Sequence, residues 1–117
     1  MNNDRFKFRV WNKKEKILHY GAEKTYDALH GNPIICSDCF GDLLDDDNYI
    51  VEQCTGLKDR DGNLIYEGDI VRLGSSSCTC RVVYQDGCFW LDYEIALYKV
   101  SHKIKIIGNI HDHEVQE

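Results

Sequence analysis

The stretch "TGLKDRDGNLIYEGDIV", residues Thr55–Val71, decides the fold. Asp61-Gly62, or Gly62-Asn63, supplies the positive-φ residues of a tight turn. Thr55-Gly56 reads as a strand break, and Glu67-Gly68 as a second turn before the apolar run that begins at Ile70. The residues expected to punctuate the chain are therefore Gly56, Asp61, Gly62, Gly68 and Asp69. Two chemical readings compete with punctuation. Asp59-Arg60-Asp61-Gly62 has the DxDG spacing of a phosphatase nucleophile loop, but "TGLK" precedes it instead of an apolar strand, and no alternating helix–strand pattern comes after it. A calcium loop counted from Asp59 needs Gly at position six and Glu at position twelve. Those places hold Leu64 and Ile70. The stretch is read as turn chemistry, with Asp59 dispensable and Gly62 not.

Outward from it, short strand-like runs recur: "DIVRL", "TCRVVYQ", "CFWLDY", "IALYKV" and "IKIIGNI", separated by "GSSS", "QDG" and "SHK". Short strands at such spacing, each bounded by turn residues, predict a small barrel of SH3-like type in the C-terminal half. Upstream, "FKFRVWN" alternates, with Phe6, Phe8 and Val10 to one side and Lys7, Arg9 and Trp11 to the other. It reads as a half-buried strand. "NKKEK" is a polar turn and "ILHYG" a returning strand, so residues 6–20 form a predicted hairpin. "EKTYDALHG" has Tyr26 and Leu29 at helical spacing with Gly31 as a stop, a predicted short helix. Residues 32–48 lack periodicity, and "YIVEQC" is a strand leading into the opening stretch. The fold class expected is mainly β, a β-rich α+β chain. Residues 1–54 would be a hairpin and loop-rich cap and residues 55–117 the barrel, the two forming one unit or two small lobes.

A chain of 117 residues with 43% hydrophobic content can bury a core without staples. The net charge of −6 lowers the expectation of nucleic-acid binding. A local exception is the basic start: Arg5, Lys7, Arg9, Lys13, Lys14 and Lys16, with Trp11 among them. The acids gather from Asp38 to Asp47, where Asp45-Asp46-Asp47 reads as a solvated loop. No basic-plus-apolar leader opens the chain and no apolar run could span a bilayer, so a cytoplasmic protein without membrane association is expected.

In a reducing compartment the six cysteines are read as thiols or metal ligands and not as disulfides. Cys36 and Cys39 form a CxxC, Cys78 and Cys80 a CxC. Together they are the zinc alternative, but only the first pair has the knuckle spacing. The reading adopted is plain thiols, no metal and no cofactor, with Cys54 and Cys88 in strands and in the core. His111-Asp112-His113 is an HxH near the end, read as an exposed tail. His19, His30 and His102 stand alone. No nucleophile–base order, P-loop or dinucleotide motif is present, and the expectation is a protein that is not an enzyme.

Four phrases carry a family resemblance: "FKFRVWNKKEKIL", "QCTGLKDRDGNLIYEGDIVR", "VVYQDGCFWL" and "IKIIGNIHD". The chain resembles the YopX family of small proteins encoded by phages and prophages. The resemblance spans nearly the whole length, and the central phrase is specific to that family. Cys54, "IICSDCF", "SSSCTC", His111 and His113 depart from the usual pattern. The resemblance implies a phage- or prophage-encoded accessory protein with a β-rich, SH3-like fold, and no catalytic residue. The function expected is a non-catalytic protein-interaction module, with self-association as one form. The candidate contact residues are Tyr66, Tyr84, Trp90, Tyr93 and Tyr98, more large aromatics than so small a barrel encloses. The alternative is a weak nucleic-acid-binding barrel.

Overall fold

The structure, a computed structural model, describes residues 4–22, 44–74 and 77–112. The predicted helix around Tyr26–Leu29, the Cys36–Cys39 pair, His30 and His113 lie outside them. The described chain builds two antiparallel sheets. The first has the order β2-β1-β3-β4, with β1 Phe8–Asn12, β2 Ile17–Tyr20, β3 Tyr49–Lys58 and β4 Leu64–Tyr66. The second has the order β8-β7-β6-β5-β9, with β5 Asp69–Leu73, β6 Thr79–Gln85, β7 Cys88–Leu91, β8 Ile95–Ala96 and β9 Ile104–Asn109. A meander whose first strand also takes the last one, with a helical turn just before it, has the strand order of an SH3-like barrel. Here it is a curled half-barrel.

The predicted hairpin forms where expected. Asn12 ends β1, and its side-chain oxygen accepts from Lys14 N and Glu15 N at 3.0 and 3.1 Å. This Asx-type capping turns the chain, with Lys16 at φ +57°. The face assignment, however, is corrected. β1 is an inner strand, its two edges paired with β2 and β3, and both of its faces are covered, one by a small apolar core and the other by Glu67, Asp69 and His111. Val10 packs with Ala22, Phe8, Tyr49 and Val51 in one small core. Arg9 and Trp11, expected on a solvated face, are each only 1% exposed, and Phe6 is the exposed one.

Three further corrections concern the central stretch and the C-terminal half. Thr55-Gly56 does not end a strand; β3 runs through it to Lys58 with a bulge between Cys54 and Lys58. The division expected after Cys54 therefore falls inside β3, and the change of sheet comes at the Glu67–Gly68 turn. "IALYKV" is strand only at Ile95–Ala96. Leu97–Val100 is a helical turn, α1, with a 3-10 turn next to it at Ser101–Lys103. Helical spacing lets fully buried Leu97 and partly buried Val100 face the core, while Tyr98 and Lys99 point out. That core joins Ile65 of β4 to Val71, Val82, Leu91, Leu97 and Ile104. Cys54 is buried as expected, while Cys88 is only partly so.

Candidate functional site

Three stretches far apart in sequence meet between the two sheets. Arg9 of β1 donates from Nε to Glu52 Oε1 of β3 at 2.7 Å, and from Nη1 to Asp69 Oδ1 of β5 at 2.7 Å. Its Nη2 donates to the Glu67 carbonyl at 3.0 Å, and Nη1 reaches the Tyr20 hydroxyl at 3.3 Å. The planar guanidinium fork is used on every side, which a lysine could not match. The other Glu52 oxygen lies 3.0 Å from His111 Nε2, and the His111 ring stacks on Trp11 at 4.4 Å with an interplanar angle of 8°. The aromatic ring of Tyr66 lies 5.1 Å from the Arg9 guanidinium carbon. Burial lowers the Arg9 pKa, but Asp69 and Glu52 outweigh it and the net shift is upward. Burial pushes the Asp69 carboxyl up, and the Arg9 charge and the Tyr66 N–H only partly offset it.

His111 is thus not the exposed tail residue expected from its HxH setting: it is 2% exposed. Asn109 Oδ1 accepts its backbone N–H at 2.9 Å, and Ile110 N donates to Gly68 O at 2.9 Å, which folds the end of the chain back over the knot. Gly68 is required here for two reasons. Its φ is +89°, and an added Cβ would collide with the Glu52 carboxylate. Asp69 is more than punctuation: its second oxygen accepts Tyr66 N at 2.7 Å, closing the turn, while the first holds Arg9.

Asp59, expected to be dispensable, is 5% exposed and holds three backbone donors. Oδ1 accepts from Asp61 N and Asn63 N, each at 2.9 Å, and Oδ2 accepts from Ile106 N at 3.1 Å. With Arg60 N donating to Ile104 O at 2.9 Å, the Asp59–Asn63 turn covers the outer edge of β9. Burial acts to raise the Asp59 pKa, but the N–H donors of Ile106, Asn63 and Asp61 prevail and hold it below its usual value. Gly62, at φ +87°, stands in open space at the tip of this turn.

The aromatics predicted as contact residues divide. Tyr66 is 7% exposed and belongs to the interior. Trp90 is half-buried, its Nε1 donating to Gln85 O at 3.0 Å. Tyr84, Tyr93 and Tyr98 are 51%, 56% and 62% exposed. Tyr98 lines an apolar recess of about 260 Å³ with Leu57, Phe89, Leu97 and Cys88. Tyr84 stands edge-on to Phe89, at 5.1 Å, beside it. A second cleft, of about 230 Å³, lies between the sheets, with Ile50, Glu67, Gly68, Arg81, Tyr93 and Ile110 among its lining. Burial raises the Glu67 carboxyl, the Gln53 N–H opposes this, and the neighbouring Glu52 adds to it.

The basic start is not one accessible face. Arg9 and Trp11 are buried, Lys7 pairs with Asp4 at 3.0 Å, and Arg5 lies over the Phe6 ring at 4.6 Å. Of the zinc alternative, Cys78 is exposed and Cys80 partly buried, and Cys36 and Cys39 lie outside the described residues. Among the described residues no group of three metal-ligating side chains converges. No described helix is long and apolar enough to cross a membrane.

Fold and knot define a class: a small β protein whose two sheets, one an SH3-like half-barrel, are fastened by a buried arginine–carboxylate–histidine cluster. The YopX protein family matches residues 7–114, and the chain belongs to that family. The crystal structure of protein EF1440 from Enterococcus faecalis is similar, with a TM-score of 0.64 at 26% identity, covering 95% of this chain and 97% of that one. No curated protein matches.

Proposed function

We propose that the chain is a phage- or prophage-encoded accessory protein of the bacterial cytoplasm that acts by binding protein, with a second copy of itself as the first partner to test. The observation that carries this reading is the recess beside Tyr98. At about 260 Å³ it is smaller than the usual small-molecule pocket, roughly 300–1,000 Å³, and it suits one or two apolar side chains of a partner. An exposed tyrosine at its rim and a second one beside it are the residue type that anchors interfaces. The titratable groups that do converge, Arg9, Glu52, Asp69 and His111, are 1–3% exposed and engaged with one another, with Glu52 bordering the inter-sheet cleft. That supports a fastening role over catalysis, which needs such groups open to a substrate.

Light scattering over a concentration series tests the proposal. The expected result is a species larger than the 13.6 kDa chain, shifted back towards monomer by Tyr98→Asp. Tyr98 is exposed enough for that change to leave the fold intact. A wild-type chain that stays monomeric at high concentration removes the homotypic form. A monomer that also retains no partner in host-cell capture removes the proposal.

A further inference from the structure

Core contacts and exposure mark one face of the second sheet as outward around Arg72, Arg81 and Lys105, while Val83, further along the same face of β6, is buried at the inter-sheet cleft. Val71, Cys80, Val82, Ile104 and Ile106 face the core. Their neighbours in sequence, Arg72, Arg81 and Lys105, are exposed on the opposite face. The register sets Arg72 directly opposite Lys105 across β5 and β9. It sets Thr79 opposite Arg72, and Arg81 opposite Ile70 across β5 and β6. Arg81 is therefore a diagonal neighbour of Arg72, and the three cations form a strip across three adjacent strands.

Like charges directly opposite one another weaken a sheet. This chain has 20 Asp and Glu against 14 Lys and Arg, so acids are the commoner charge to find opposite a cation. Yet none of the three is held in an ion pair among the described residues. The Asp92 carboxylate accepts the Arg81 backbone N–H at 2.9 Å, and no ion pair joins it to the guanidinium. Glu67, across the inter-sheet cleft from Arg81, is turned towards Gln53 N. Strands lie about 4.8 Å apart, so the Arg72 guanidinium and the Lys105 ammonium stand side by side, with the Arg81 guanidinium on the diagonal from Arg72. Planar forks suit phosphate oxygens, and Thr79 adds a hydroxyl on the same face.

We propose that this strip binds the phosphate backbone of single-stranded nucleic acid, without base readout, through Arg72, Arg81 and Lys105. The site is separate from the basic start of the chain, whose Arg9 and Trp11 are enclosed, and from the Tyr98 recess. It extends the protein-binding reading and stands or falls independently of it. Binding is weak and salt-sensitive, because three contacts in an acidic protein leave little other attraction.

Fluorescence anisotropy with a labelled oligo-dT, over a salt series, tests it. For three phosphate contacts on a single strand, log Kobs falls with log[salt] with a slope of about −2. The triple variant Arg72→Gln, Arg81→Gln, Lys105→Gln is expected to lose binding at salt concentrations where the wild type binds. A control carrying Lys13→Gln, Lys14→Gln and Lys16→Gln removes the same charge from the β1–β2 turn and is expected to bind as wild type. Circular dichroism confirms that both variants fold. Tyr98→Asp is expected to keep the interaction, which separates this site from the proposed protein interface. No wild-type binding at low salt overturns the proposal. So does equal weakening by both triple variants, which would mean bulk charge, and so does equal affinity for a labelled poly-glutamate peptide, which would mean an acidic-peptide site.

Discussion

Replacing Arg9 by methionine keeps most of the side-chain volume and removes the guanidinium from the knot. Glu52 and Asp69 then face each other in an enclosed space, and the Glu67 carbonyl loses its donor. Removing one partner of a buried ion pair costs about 3–5 kcal/mol, chiefly because the charge left behind is neither paired nor solvated. Native stability in chains of this kind is about 5–15 kcal/mol, so the loss is a large fraction of the whole. With a urea m-value of about 2 kcal/mol/M, the midpoint should fall by about 1.5–2.5 M. Arg9→Lys should recover part of this, since an ammonium can serve one or two of the four acceptors. In a background carrying Asp69→Asn the same Arg9→Met change should cost less, by about 1–3 kcal/mol of coupling. The knot's worth relative to an apolar plug of equal volume is modest; its effect is to make incomplete assemblies costly. A midpoint for Arg9→Met equal to wild type within 0.5 M, roughly the change that 1 kcal/mol produces at this m-value, would refute the reasoning.

Other expectations concern the turns and the thiols. Asp59→Ala should cost about 2–4 kcal/mol at neutral pH, since three N–H groups lose a charged acceptor. The depressed Asp59 pKa places its contribution above the unfolded value of about 3.9, and it is lost as pH falls through the lower folded value. The gap between variant and wild type in urea melts should therefore close in acid, and a gap constant down to about pH 2 would be inconsistent with this linkage. Gly68→Ala should destabilise more than Gly62→Ala. Both suffer the positive-φ cost of about 1–2 kcal/mol, but only the first drives a methyl group into Glu52; equal midpoints would contradict this. Cys54, enclosed and with its thiol pKa raised by burial, should resist Ellman's reagent in the native state while exposed Cys78 reacts. Mass spectrometry of the labelled protein would show the opposite order if this were wrong.

Local chemistry was legible in the sequence wherever it acts within a few residues. The polar hairpin turn "NKKEK", Gly62 at positive φ and the strand-like run "TCRVVYQ" are all set by neighbours in the chain. Alternation in "FKFRVWN" showed which side chains share a face but not that the polar-looking face is enclosed. That depends on the segment of residues 67–69 and the His111 segment packing over it. The Asp59 side chain was readable as an Asx turn, but its bond to Ile106 spans 47 residues and leaves no local mark. His111 was missed for the same reason: an HxH near a chain end looks like a tail until the Glu52 carboxylate arrives from β3. One signal was there to be read. Arg9, Glu52 and Asp69 each sit in an otherwise strand-like run, and a charge within such a run on an inner strand needs a partner. Of the knot, Arg9, Trp11 and Asp69 come from phrases that carry the family resemblance, while Glu52 lies just before the central phrase and His111 departs from the usual pattern.

The most direct test of the account is to map where copies of the chain touch. Amide NMR spectra recorded as protein concentration rises should show shift changes centred on Leu57, Phe89, Leu97 and Tyr98, with the knot around Arg9 and His111 unmoved. Changes centred instead on the β2 edge, Ile17–Tyr20, or spectra that do not change at any concentration, would contradict it.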